Sequence, residues 1–286
     1  MKPDRSRPTL SALERAHLKA PGDDSHVMYR YPVPETLAAL VRWYWFPVWS
    51  VPTGQRSVQR VLQYPGCLLV VTPDYARFYG VTTGLSETVL EGDGWAAGVL
   101  CTPAAGSLLA RGSMAEFTDR HADLTTVLGE AGAELTDRVR AAMQPDPRSV
   151  GGHRRAMAAF GDTLRPQLPL DAESELVNRI VALVEERPDL VRAAQLCAES
   201  GLSARALQRL VNRRLGLTPK WLIQRRRLQD AAERLRTGSD GTLADTAAVL
   251  GYADQAHFVR DFSRVTGTTP GRFADEHRES RRDPAR

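Results

Sequence analysis

The spacing of apolar residues changes character about a third of the way along the chain. From residue 29 to about 101, short runs rich in Val and aromatics ("VRWYWFPVW", "CLLVV", "ARFYGV", "WAAGVL") are separated by Pro-Gly, Thr-Pro-Asp and Gly-Asp-Gly turns. That texture predicts the strands of a small β sandwich or barrel. From about 103 the period becomes helical, through "PAAGSLLA" and "LTTVLGEAGAELTDRVRAAM". "QPDPRSVGG" (144–152) breaks it, and a short helix then runs to about Leu164. The two prolines of "RPQLPL" (165–170) interrupt a helix and mark a domain boundary, a joint that permits relative movement. Beyond Asp171 everything reads as helices in short connections. Residues 1–28 are polar and rich in Pro, Asp and Arg, and read as a loose segment. The architecture this predicts is an α+β front domain (29–165), β-rich with added helices, followed by an all-α domain (171–286).

The all-α domain contains a single pattern twice. In residues 190–215, "VRAAQLCAES" is a helix with Leu196 inward, "GL" is a turn, and Ser203 caps "ARALQRLVNRRL". Leu207, Leu210 and Val211 share the core face of that second helix, and Arg205, Gln208, Arg209 and Asn212 project away. In residues 243–265, "LADTAAVL" is followed by "GY", by Asp254 as the cap, and by "QAHFVRDFSRV". Here Phe258, Phe262 and Val265 face inward, and Gln255, His257, Arg260 and Arg264 face out. Helix, glycine turn, capped helix and a polar face of guanidiniums, amides and an imidazole make a helix-turn-helix, whose second helix enters a DNA major groove. Arg can bond bidentately to guanine, and Gln or Asn to adenine.

Charge agrees with a polyanion partner. The formal net charge is only +4, yet residues 203–236 hold ten Arg or Lys against two acids, Asp230 and Glu233. Arg225, Arg226 and Arg227 are consecutive, so at most one or two of them can touch phosphate. The connector "PKWLIQRRRLQDAAERLR" (219–236) reads as a helix with Pro in its first turn. At roughly 1.5 Å per residue it spans about 27 Å. A strut of that length can set two recognition helices in successive major grooves, about 34 Å apart. Trp221 reads as an apolar plug between the halves.

"LSARALQRLVNRRLGLTPKWLIQRRRLQDAAERL" and "LADTAAVLGYADQAHFVRDFSRVTGTTPGRF" resemble the DNA-binding domain of the AraC/XylS family of bacterial transcription regulators. Gly251, Tyr252, Gln255, His257, Phe258, Arg260, Phe262, Gly267 and Pro270 carry the second motif. The resemblance implies base-facing roles for Arg205, Gln208 and Arg209 on the first recognition helix, to which the pattern adds Asn212. On the second it implies them for Gln255, Ala256, His257 and Arg260. Ser263 is a departure, standing where family members usually have Lys. Residues 29–165, through "VRWYWFPV", "RVLQYPGCLLVV" and "GVLCTPAAGSLLA", resemble the front domain of a poorly characterised subgroup. In this family such a domain senses a small molecule or dimerises. The partners implied are double-stranded DNA, RNA polymerase, a small-molecule effector and a second copy of the chain; activation and repression both stay open.

The front domain also holds most of the aromatics. Trp43, Trp45, Tyr64, Tyr79 and Trp95 are candidates for an effector pocket, and suit core packing as well. Enzyme chemistry is not expected. A metal-binding barrel needs several histidines on its strands, and none of the six lies between residues 27 and 120. No GxSxG, phosphate-binding glycine loop or Cys-His pair is present, so neither catalytic residues nor a metal or cofactor is predicted. Cys67, Cys101 and Cys197 form no CxxC and read as reduced packing thiols. "MKPDRSRPTL" has no apolar signal segment, and no apolar run nears the roughly 20 residues of a membrane span, which predicts a cytoplasmic protein.

Overall fold

The computed structural model describes Leu18 and residues 23–238 and 241–282, with side chains as far as Arg278. The segment expected to be loose therefore lies largely outside the described residues, but its end does not. Strand β1 spans His26–Tyr31, three residues earlier than the β texture begins in the sequence. Eight further strands follow: β2 (Val41–Ser50), β3 (Ser57–Val61), β4 (Leu68–Val71), β5 (Ala76–Tyr79), β6 (Ser86–Leu90), β7 (Asp93–Trp95), β8 (Ala97–Cys101) and β9 (His121–Asp123). Seven make one antiparallel sheet in the order β1-β2-β8-β4-β5-β9, with β7 beside the far end of β2. β3 and β6 form a separate two-stranded ribbon.

Strand β2 organises the sheet because both its faces are apolar. Tyr44, Phe46 and Val48 point at period two into the main core, which helices close from that side. Those helices are α1 (Ala105–Leu109), α2 (Leu124–Leu128), α3 (Glu130–Met143) and α4 (Val150–Leu164). On the opposite face the indoles need room, and the partner strands supply it with glycine. Trp45 is paired with Gly98 and Trp49 with Gly94. A Cβ on either glycine would lie 2.3–2.4 Å from the facing ring, so only glycine fits there. Cys67 and Cys101, distant in sequence, are neighbours across the sheet, bonded through backbone Cys101 N–H to Cys67 O at 3.0 Å.

The remainder of the chain is helical: α5 (Ala172–Glu186), α6 (Ala193–Ser200), α7 (Ala204–Leu215), α8 (Pro219–Thr237), α9 (Leu243–Val249), α10 (Gln255–Thr266) and α11 (Pro270–Arg282). Each start has its local cause. Asp171, Ser203, Thr218, Thr242 and Asp254 all accept a hydrogen bond from the backbone of the first turn they cap. Gly201, Gly216, Gly238 and Gly267 end α6, α7, α8 and α10 in left-handed backbone. No helix among the described residues is long and apolar enough to cross a membrane.

The joint at 165–170 is structured. Residues Arg165–Gln167 continue as a 3-10 turn, and the two halves share apolar clusters. Tyr64, Val81, Leu100 and Ala104 of the front half lie in one apolar cluster with Val177, Val181, Leu210, Leu215 and Leu222. Leu18 and Leu62 lie in a second with Leu228, Leu235, Phe258 and Phe262. Apolar side chains on α5 and α8 that a lone tail would expose are covered by the front sheet and its loops.

Candidate nucleic-acid interface

Each helix-turn-helix is built from a short first helix (α6, α9), a glycine-containing turn and a capped second helix (α7, α10). Ser203 Oγ accepts from Ala206 N–H at 3.3 Å, and Asp254 Oδ1 from His257 N–H at 2.6 Å. The caps fix where each second helix starts, and so which residues share its outer face. Leu207, Leu210, Val211 and Leu215 bury one side of α7; Phe258 and Phe262, both 0% exposed, bury one side of α10. Anchors of this size contribute about 1.5–3 kcal/mol each by burial.

The eight sequence-derived contact residues fall on what is left. Arg205, Gln208, Arg209 and Asn212 on α7, and Gln255, Ala256, His257 and Arg260 on α10, are all exposed. Among the described residues, Arg205, Gln208, Arg209, Asn212, Gln255 and Arg260 form no side-chain hydrogen bond or ion pair. His257 stands edge-on to Tyr252 and has Nε2 3.6 Å from Asp261. Asp261 accepts from Gln224 at 2.7 Å and from Arg264 at 3.0 Å, tying α10 to α8. Ser263 is half-buried.

The other basic residues of the block have different surroundings. Arg225 is 3% exposed and donates through Nη2 to the carbonyls of Thr82, Thr83 and Gly84 at 2.5–3.5 Å. Burial lowers its pKa to about 10, partly opposed by the charge of Asp119, so it remains cationic at neutral pH. Arg226, 6% exposed, pairs with Asp230 at 2.6 Å and donates to Pro188 O at 3.0 Å. Arg227 lies 3.7 Å above the Tyr252 ring centroid. Each of the three therefore has a partner within the protein. Arg213 pairs with Glu173, and Arg214 with Asp171 and Glu173. Trp221 does plug a junction, but one between tail and front half: its Nε1 donates to Thr83 O at 3.2 Å.

The five candidate effector aromatics do not converge. Trp43 and Tyr64 pack against the helical tail, and Arg42, paired with Glu185, lies 4.2 Å over the Tyr64 ring. Trp45 covers Gly98, Trp95 is in the main front core, and Tyr79 tilts against His121 with centroids 5.2 Å apart. A cavity of about 350 Å³ lies instead in the tail, between Pro188, Arg226, Asp230, Arg234, Val249 and Leu250. No group of three or more His, Cys, Asp or Glu among the described residues is placed to hold a metal ion.

Sequence reasoning missed the residues that join the halves. Thr82, Thr83, Gly84 and Leu62 act through backbone carbonyls, which have no signature in the side-chain pattern. Asp171 and Glu173 did leave a signal, as acids at a helix start facing a basic helix end.

Comparison with known proteins bears on this geometry directly. A family profile described as a helix-turn-helix domain matches residues 196–276, which include both recognition helices. A second, described as a domain of unknown function, matches residues 29–123. The probable transcription factor PqrA of Proteus vulgaris is 31% identical over 103 residues, 35% of this chain and 84% of that protein. The transcriptional activator NphR of a Rhodococcus species is 32% identical over 87 residues, 30% of this chain and only 25% of that protein. Among solved structures, ToxT of Vibrio cholerae aligns over 88% of this chain and 97% of its own, at 12% identity and a TM-score of 0.39. With its paired helix-turn-helix units and a relative matched over most of its length, the chain belongs to the AraC/XylS family of transcription regulators.

Proposed function

We propose that this chain is a sequence-specific regulator that reads two DNA half-sites with α7 and α10 of a single polypeptide. One observation carries the reading. The basic block divides into arginines held by protein partners and arginines with no partner among the described residues. Arg205 and Arg209 of that block, and Arg260 beyond it, are exposed and unpartnered on recognition helices, beside Gln208, Asn212, Gln255, Ala256 and His257, whereas Arg234 on α8 lacks a partner among the described residues but is half-buried. Exposed, unpartnered guanidiniums beside amides on the outer face of both second helices support the reading. Double-stranded DNA fits the arrangement, because exposed Arg, Gln and Asn on a protruding helix match the hydrogen-bonding edges of the major groove.

Two readings of the front domain follow from its packing. In the first, a small, partly apolar effector bound at Trp43, Trp45, Tyr64, Tyr79 and Trp95 changes DNA affinity. In the second, the domain acts through protein contacts alone, bracing the tail and joining a second copy or RNA polymerase. The spread of the five aromatics over separate environments favours the second. A metabolite screen read by tryptophan emission and DNA affinity together decides: a compound that shifts both restores the first reading.

DNA binding itself is tested by titrating the full chain onto duplex DNA at several salt concentrations. Several Lys/Arg–phosphate contacts give a log-log slope of roughly −0.9 per contact. A folded chain with no salt-dependent binding on genomic fragments contradicts the proposal.

A further inference from the structure

The two helix-turn-helix units correspond residue by residue. Ser203 matches Asp254, Leu207 matches Phe258, Arg209 matches Arg260, and the closing Gly216 matches Gly267. Both glycines have the same left-handed backbone, with φ of +71 and +73. Their surroundings differ. A Cβ on Gly267 would meet nothing within 4 Å, whereas one on Gly216 would lie 2.1 Å from Thr118 Oγ1 and 2.6 Å from Met114 O. The front domain is seated directly on the end of the first recognition helix.

Two polar contacts hold that seat. Thr118 Oγ1 donates to Gly216 O at 2.9 Å, taking up a carbonyl at the end of α7. One helical position earlier than Leu215, Arg214 donates through Nη1 to Ser107 Oγ at 3.2 Å, and its side chain is only 11% exposed. Among the described residues, no hydrogen bond or ion pair joins α10 to residues 23–165. Leu62 belongs to the apolar core beneath α10, but its polar link runs to α8, where Gln229 Nε2 donates to Leu62 O at 2.9 Å.

We propose that Ser107, Thr118 and the Met114 backbone are positioning residues for base reading by α7, so that recognition of the first half-site depends on the front domain and that of the second does not. This rests on the reading that α7 and α10 serve separate half-sites. The mechanism is leverage. Helix α7 has 12 residues and is about 18 Å long. A shift at its C-terminal end pivots Arg205, Gln208 and Arg209, while hydrogen bonds to base edges weaken steeply outside a narrow range of distance and angle. An event in the front domain therefore reaches DNA through one recognition helix.

The glycine pair supplies an internal control. Sites are first selected by the full chain from a random duplex library. Each half-site is then assigned by the base pairs that Arg209→Ala or Arg260→Ala ceases to discriminate. Gly216→Ala and Gly267→Ala introduce the same left-handed strain, but only Gly216→Ala drives a wedge against the front domain. Gly216→Ala is expected to lose about tenfold or more in discrimination at the first half-site with the second unchanged, and Gly267→Ala less than about threefold at its own. Because Gly216→Ala strains the backbone, Thr118→Val serves as the gentler variant. It keeps the shape, removes one hydrogen bond, and is expected to cost about threefold to tenfold at the first half-site only. Equal effects of the two glycine variants on their own half-sites, or a Thr118→Val chain with both half-sites unaltered or equally weakened, overturn the proposal. A library that yields no preferred sequence overturns the two-half-site reading beneath it, which is a different failure.

Discussion

Arg209 and Arg227 look alike in the sequence: each is an arginine on the polar side of an amphipathic helix, within one basic block. Their environments separate them. Arg209 is exposed and has no side-chain partner among the described residues, whereas Arg227 lies over the Tyr252 ring, and its pKa is lowered by burial. Arg209→Ala should cost about 1–3 kcal/mol at a cognate site and relax base preference at one position, without changing the melting temperature. Arg227→Ala should instead lower unfolding stability by about 0.5–2 kcal/mol, the worth of a cation over an aromatic face that is partly shielded from water. Thermal melts and DNA titrations of the two variants check this. A chain whose melting temperature falls with Arg209→Ala and not with Arg227→Ala has the roles reversed.

At the scale of single elements, caps and turns govern the interface. Ser203→Ala and Asp254→Ala should each cost about 0.5–2 kcal/mol of stability, read by chemical denaturation. The start of α5 adds a pH dependence. Asp171 accepts from Ser174 N–H at 2.6 Å and pairs with Arg214, which holds its carboxyl below the usual value of 3.8, the backbone hydrogen bond contributing most. A carboxyl depressed in the folded state stabilises above its unfolded value and loses that contribution as pH falls through the folded one. Asp171→Asn should therefore flatten the acid side of the stability curve below about pH 4 and, since Asn also caps well, cost less than about 1 kcal/mol at neutral pH. Melts from pH 6 down to pH 2 would show a parallel decline in both proteins if this account of Asp171 is wrong. These elements were legible in the sequence because their causes are local: Ser203, Asp254 and the glycine turns sit next to the helices they define. The clamp on Arg225 was not legible. Its partners are backbone carbonyls about 140 positions away, on a loop whose side chains do not advertise the contact.

For the molecule as a whole, front sheet and tail share two apolar cores, and the connector α8 is braced along its length by Thr82, Thr83, Gly84 and Leu62. The sequence divides cleanly at its prolines, but the packing does not, since apolar faces on α5 and α8 have no periodicity that reveals which domain covers them. A fragment comprising 171–286 should keep salt-dependent DNA binding, yet melt well below the full chain; equal melting temperatures would mean that the shared cores contribute nothing. The central claim is that one polypeptide reads two adjoining major grooves. Hydroxyl-radical footprinting of the full chain on a selected site tests it most directly, with Arg209→Ala and Arg260→Ala alongside. The account predicts two protected patches on one face of the duplex, about 10–10.5 base pairs apart, of which Arg209→Ala weakens one and Arg260→Ala the other. A single patch, or one in which both variants weaken the same positions, would contradict it.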